Sequence, residues 1–167
     1  MKPIFSFRFV ALAAGLALCG CANFGPATLQ PGDDLDAARR KLGTPTAEHR
    51  RADGTLRLEY ATGPFGKRTY MIDFDTQGRL TRWENVLDEA HFNRIAAGLS
   101  QGELRAALGM PSKVWQVRYH DQTVWSYRYD GPFCQLFHVG ITPQGVVEDT
   151  SYGPDPLCEV RERFGRF

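Results

Sequence analysis

Hydrophobic positions recur along this chain in two rhythms, and the order of the rhythms repeats. From Gly32 the spacing is helical: Leu35, Ala38 and Leu42 share one face. Asp33 or Asp34 can cap that helix, and Gly43-Thr44-Pro45 stops it. The period then changes to alternation. Leu56, Leu58 and Tyr60 point one way and Arg57 and Glu59 the other, and Tyr70, Ile72 and Phe74 repeat the pattern against Asp73 and Asp75. Ala52-Asp53-Gly54 and Thr76-Gln77-Gly78 read as turns, and Leu80 to Leu87 as a last strand. Asp88 can cap a short helix that carries Phe92 and Ile95 and ends at Gly98. Ser100-Gln101-Gly102-Glu103 has the form of a capping box and opens a helix through Leu104 and Leu108 to Gly109 and Pro111. Strands are predicted at Val114–His120, Thr123–Tyr129, Gln135–Thr142 and Val146–Tyr152.

The two halves share residues as well as rhythm. Gly32 matches Gly98, Leu42 matches Leu108, Gly43 matches Gly109 and Pro45 matches Pro111, all 66 positions apart. Gly63-Pro64-Phe65 matches Gly131-Pro132-Phe133, and Gln77-Gly78 matches Gln144-Gly145, with an offset that drifts by one or two. A fixed period of this kind means two tandem copies of one unit. The expected fold class is α+β: two tandem units of one or two helices followed by an antiparallel meander, with the helices on one face of the sheet. The units span 32–87 and 88–153, followed by a tail at 154–167. A sheet covered on one side leaves its other face bare, and two units side by side can make one continuous concave sheet.

Charge narrows the function only by exclusion. Twenty basic and nineteen acidic residues give +1. No basic run stands out in the folded part, which argues against a surface that binds nucleic acid by neutralising phosphates. The N-terminus changes the picture more. Lys2 and Arg8 precede the apolar run Phe9–Leu18, which is too short to span a bilayer and has the form of a cleavable leader over 1–20. Losing both cations takes the net charge from +1 to −1. Leu18-Cys19-Gly20-Cys21 resembles a bacterial lipobox, with Leu at −3 and a small residue at −1 before the acceptor. Cys19 is the poorer acceptor because bulky Leu18 precedes it. The resemblance implies a diacylglyceryl thioether on Cys21 and an acylated amine, and more than one acyl chain anchors stably. Ala22 after the cysteine resembles sorting to the outer membrane. Residues 21–31, with Gly25-Pro26 and no apolar period, read as a tether.

Of four cysteines, Cys19 then leaves with the leader and Cys21 takes lipid. Cys134 and Cys158 remain, in a compartment that permits disulfides, and are expected to pair and pin the tail to the second sheet. A zinc site is the weaker reading of the same two residues, which lack a close-spaced partner pair.

The helix start, the Leu-Gly-x-Pro helix end and the meander that follows resemble the SmpA/OmlA family of outer-membrane lipoproteins. That family includes BamE, the small lipoprotein of the β-barrel assembly machinery. The stretch Phe92-Asn93 to Gly98-Leu99-Ser100 is also similar to the β-lactamase inhibitory protein, a tandem of two such units. The resemblance covers nearly all of 32–152. The family lipoprotein has one unit where this chain has two. The inhibitor has a disulfide in each unit, and here the first unit has no cysteine. Fold and anchoring are therefore implied, and no binding residue is carried over.

Catalytic chemistry finds little to stand on. His49, His91, His120 and His138 lack metal-ligand spacing, and no Gly-x-Ser-x-Gly elbow occurs. Asp73 and Asp75 share a strand face and read as its solvated side. Neither cofactor nor metal is expected, and enzyme is the minority reading. The aromatic residues offer more. Trp115, Val117 and Tyr119 share one face of a strand, and Trp125, Tyr127 and Tyr129 share one face of the next. Away from the helices they form a platform of the residue types that dominate binding hot spots; against the helices they are core. Because Gln116, Arg118, Ser126 and Arg128 on the opposite faces are polar, core is the better assignment for most of them. The tail Arg161–Phe167 mixes basic and aromatic residues that could touch anionic lipid or a partner.

The sequence thus points to a lipid-anchored, periplasm-facing protein of the outer membrane, without enzymatic activity, that binds a protein partner. The β-barrel assembly machinery is one expected partner. The alternative is a periplasmic inhibitor that docks a concave sheet on an enzyme.

Overall fold

A computed structural model describes residues 25–158. The leader, Cys21 and its expected lipid, and the tail beyond Cys158 lie outside the described residues. Within them the chain forms α1 (Leu35–Leu42), β1 (Ala47–Arg50), β2 (Leu56–Ala61), β3 (Thr69–Phe74) and β4 (Leu80–Asn85). It then forms α2 (Glu89–Phe92), α3 (Gln101–Leu108), β5 (Lys113–Val117), β6 (Gln122–Arg128), β7 (Gln135–Ile141) and β8 (Val147–Pro154). Each unit is α+β, a helix followed by an antiparallel four-stranded meander, β1-β2-β3-β4 and β5-β6-β7-β8. Among the described residues no helix is long and apolar enough to cross a membrane.

The repeat holds at the level of single hydrogen bonds. Asp34 caps α1 by accepting from Ala37 N, and Ser100 with Glu103 caps α3 in a full capping box. Both helices end on a glycine at positive φ, Gly43 and Gly109. In both units a tyrosine hydroxyl on the second strand donates to that glycine's carbonyl: Tyr60 to Gly43 at 3.1 Å, Tyr127 to Gly109 at 3.3 Å. The register also slips at the same place in both third strands, between Asp73 and Phe74 and between Gly140 and Ile141. The second strands align as Leu58 with Trp125, Glu59 with Ser126 and Tyr60 with Tyr127, and the third as Met71 with His138 and Asp73 with Gly140.

Several expectations are corrected. β1 was not foreseen, because Ala-Glu-His-Arg carries no apolar alternation; it forms by pairing with β2. The expected tether is folded at its end: Pro26 and Leu29 are buried, Leu29 against the first core. The sheets are two separate four-stranded sheets rather than one continuous sheet. The outer face of the first sheet is not bare, because α3 of the second unit lies on it. Met71, on that face, belongs to the second unit's core cluster with Leu104 and Leu108. The inner face carries Leu58, Tyr60, Ile72 and Phe74 against α1. The first sheet is therefore layered between a helix of its own unit and a helix of the next.

Candidate functional site

The covered face of the first sheet defines what the uncovered one is missing. Glu59 is completely buried there. Its carboxylate accepts from Arg105 Nε at 3.0 Å and Nη2 at 3.2 Å, from Met110 N at 2.8 Å, and lies 3.1 Å from His49 Nε2. Arg57 grips Asp73 with Nε at 2.6 Å and Nη2 at 2.7 Å, and its Nη1 reaches the Ala106 carbonyl on α3. Burial alone would raise the Asp73 carboxyl. The hydrogen bonds and charge of Arg57, then Arg82 and Arg51, outweigh that and lower it to about 2. Asp73 is thus a structural anion beneath the second unit, not the solvated side chain its alternation suggests. Gly109 makes the close approach possible: a Cβ there would lie 2.7 Å from Thr69 Cγ2 and 3.0 Å from Glu59 Cδ.

On the second sheet the same face carries different chemistry and no covering helix among the described residues. Trp115 and Val117 of β5, Val124 and Ser126 of β6, and His138 and Gly140 of β7 form its middle. Two adjoining hollows of about 500 and 260 Å³ lie on either side of Trp115 and His138. Phe65 and Pro64 from the first unit, and Pro156 and Leu157 beyond β8, wall the larger one. Phe65 is 75% exposed and Trp115 40%.

The indole is held in place. Trp115 Nε1 donates to Ser126 Oγ at 3.0 Å, and Ser126 Oγ lies 2.8 Å from His138 Nδ1. With the indole as donor, the serine hydroxyl donates onward to the imidazole. The Trp115 and His138 rings meet edge to face at 6.2 Å. Burial, then the charge of Lys113, holds the His138 pKa below its ordinary value, so the imidazole stays neutral near pH 7. Serine next to histidine invites comparison with a nucleophile and its base. Ser126, however, is fully buried, and among the described residues no carboxylate is bonded to His138 to orient it. The chain of three side chains fixes an indole at the mouth of a groove.

The far wall is fixed by an ion pair and a covalent bridge. Arg128 donates to both carboxylate oxygens of Asp155, and its Nη1 reaches the Pro64 carbonyl of the first unit. The Arg128 hydrogen bonds lead in holding the Asp155 carboxyl below its usual range. Cys134 and Cys158 are joined as a disulfide, as expected. A carboxylate oxygen of Asp155 lies within 4.8 Å of both sulfurs. With the sulfurs bonded to each other and Asp155 held by Arg128, this cluster is a clamp for the chain that walls the groove.

The structure divides the aromatic candidates. Trp125, Tyr127 and Tyr129 are buried against α2 and α3, with Phe92 stacked on Phe137 at 4.3 Å and edge-on to Tyr129. As a binding surface these three are withdrawn; they are core. Trp115 faces the groove, and Tyr119 stands 98% exposed in the turn after β5. Sequence reasoning missed Phe65, His138 and Ser126 as parts of the same surface. The repeated Gly-Pro-Phe motif was the available signal for Phe65.

No protein-family model matches the chain, and no curated protein does either. Among solved structures, it is similar to a DUF4309 family protein of Bacillus subtilis, at 12% identity over 74% of this chain and 79% of that one, with a TM-score of 0.30. It is also similar to a candidate β-lactamase inhibitor protein of Streptococcus mutans, at 12% identity over 77% and 87%, with a TM-score of 0.33. A third is a cysteine-rich secretory protein of Staphylococcus aureus, at 10% identity over 79% of this chain and 47% of that one, with a TM-score of 0.29. Superpositions this loose leave the tandem architecture resting on the internal repeat of the chain itself.

Proposed function

We propose that this chain is a non-enzymatic binding protein, lipid-anchored at Cys21 and facing the periplasm, whose protein partner docks on the outer face of the second sheet. One observation carries this reading. The equivalent face of the first sheet is sealed by a helix through buried ion pairs, whereas the second presents a fixed indole, apolar hollows and a rigid rim. A central aromatic anchor in a pocket is the composition of a binding hot spot.

Of the two roles the sequence suggests, docking a sheet face on a protein fits the inhibitor resemblance, and an envelope enzyme is then the partner. The assembly role rests on the lipobox and the helix-end motifs alone. Affinity purification from detergent-solubilised envelopes separates the two, with the native chain compared with Cys21→Ala and Trp115→Ala. Recovery of one hydrolase with the native chain and Cys21→Ala, but not with Trp115→Ala, is the expected result. Recovery of the β-barrel assembly machinery with the lipidated form alone assigns the assembly role instead. A partner indifferent to Trp115→Ala contradicts the docking face.

A further inference from the structure

The two sheets end in four edge strands, and three of them are guarded. On β1, Glu48 pairs with Arg39 and His49 with Glu59. On β4, Arg82 pairs with Glu84 and Asp73. β8 carries Glu148 and Asp149 and ends on Pro154. Charges and proline are the usual means by which edge strands are kept from pairing with other chains. β5 carries a single charge, Lys113 at its first position, and no acid, proline or ion pair along the rest of its length. Its sequence is Lys-Val-Trp-Gln-Val, and residues 113–116 are all exposed, Val114 by 54%. Exposure at four consecutive positions leaves both faces and the edge of this strand open among the described residues.

Charge decides what can lie along it. Lys113 at one end and Arg118 just past the other are exposed, and among the described residues no ion pair engages either. A second copy of β5 paired antiparallel about Trp115 would set Lys113 of each copy opposite Val117 of the other and next to its Arg118, so that two cations meet at each end of the joint. An acidic strand has no such penalty.

We infer that β5 accepts an extended, acid-flanked peptide of a partner protein as a fifth strand of the second sheet, with an apolar side chain of that peptide packed beside Trp115. The inference rests on the docking-face reading above and supplies the chemistry of its partner. Main-chain hydrogen bonds from the open edge give binding, and the period of two along a strand sends every second peptide side chain toward the groove.

The test is selection of a random extended-peptide library on the full chain purified in detergent. Peptides with alternating apolar residues between acidic ends are expected to be enriched. Trp115→Ala, and separately Lys113→Glu with Arg118→Glu, should each weaken the best peptide at least tenfold. N-methylation of alternate peptide nitrogens should do the same in one of its two registers. Amide exchange at 113–117 should slow when peptide is bound. Peptides lost with Trp115→Ala but indifferent to N-methylation overturn strand addition and leave the docking face standing. Peptides indifferent to both overturn the two together, and failure to enrich any such pattern overturns strand addition.

Discussion

Glu59 and Ser126 occupy the same place in the two sheets, and the exchange of one for the other separates a sealed surface from an open one. Removing the Glu59 carboxylate, which is itself fully buried, leaves Arg105 and the Met110 N–H without their acceptor in a part-buried interface. Glu59→Ala should therefore cost about 3–5 kcal/mol in denaturant unfolding, the scale for a broken buried pair. Asp73 makes stability depend on pH. Its folded pKa of about 2 lies below the ordinary 3.8, so its contribution is complete above about pH 4 and is lost as pH falls toward 2. The gap corresponds to about 2 kcal/mol. Acid titration of Asp73→Asn should lack that loss between pH 4 and 2. The aromatics separate in the same way: Tyr127→Ala should cost about 3–5 kcal/mol as a large core deletion. Trp115→Ala should change stability by no more than about 1 kcal/mol, because the indole is half in solvent.

The helix ends carry the repeat, and they also show where the copies stop being equivalent. Gly43 and Gly109 have the same positive φ, but a Cβ on Gly43 meets nothing within 4 Å, whereas one on Gly109 meets Thr69 and Glu59. Thermal unfolding should show Gly43→Ala costing about 1 kcal/mol from backbone strain and Gly109→Ala clearly more. α1, α3, the caps of all three helices and six of the eight strands were legible because caps, glycine stops and period-two alternation are local signals. α2, by contrast, ends at Phe92 and leaves Ile95 outside the helix that was expected to run to Gly98. β5, the seventh, was legible in part: its strand was expected, but the expected run to His120 ends at Val117. β1 was not, since its pattern is set by its partner strand. The outer face of the first sheet misled for a physical reason. Arg57, Glu59 and Asp73 are polar, and alternation assigns polar faces to water. Here a second unit pays for burying them with matched ions, and no single-strand pattern records that. Ser126 and His138 were invisible as a pair because they sit on different strands and meet only through the β6–β7 register.

At the scale of the whole molecule, the second unit completes the first, and nothing described completes the second. A chain truncated after β4 would expose Glu59, Arg57, Asp73 and Met71, so the first unit alone should fail to fold cooperatively by calorimetry. The disulfide clamps the far wall across a separation of 24 residues, and its reduction should lower stability by about 3 kcal/mol. The central claim is that the outer face of the second sheet is where a partner sits. A photo-crosslinking amino acid at position 115, compared in intact cells with one at position 83, tests it most directly. Trp83 is exposed to a similar degree on the other sheet and serves as the control. Crosslinking of one partner from 115 and none from 83 is the result predicted; the same partner captured from 83 and not from 115 would contradict it.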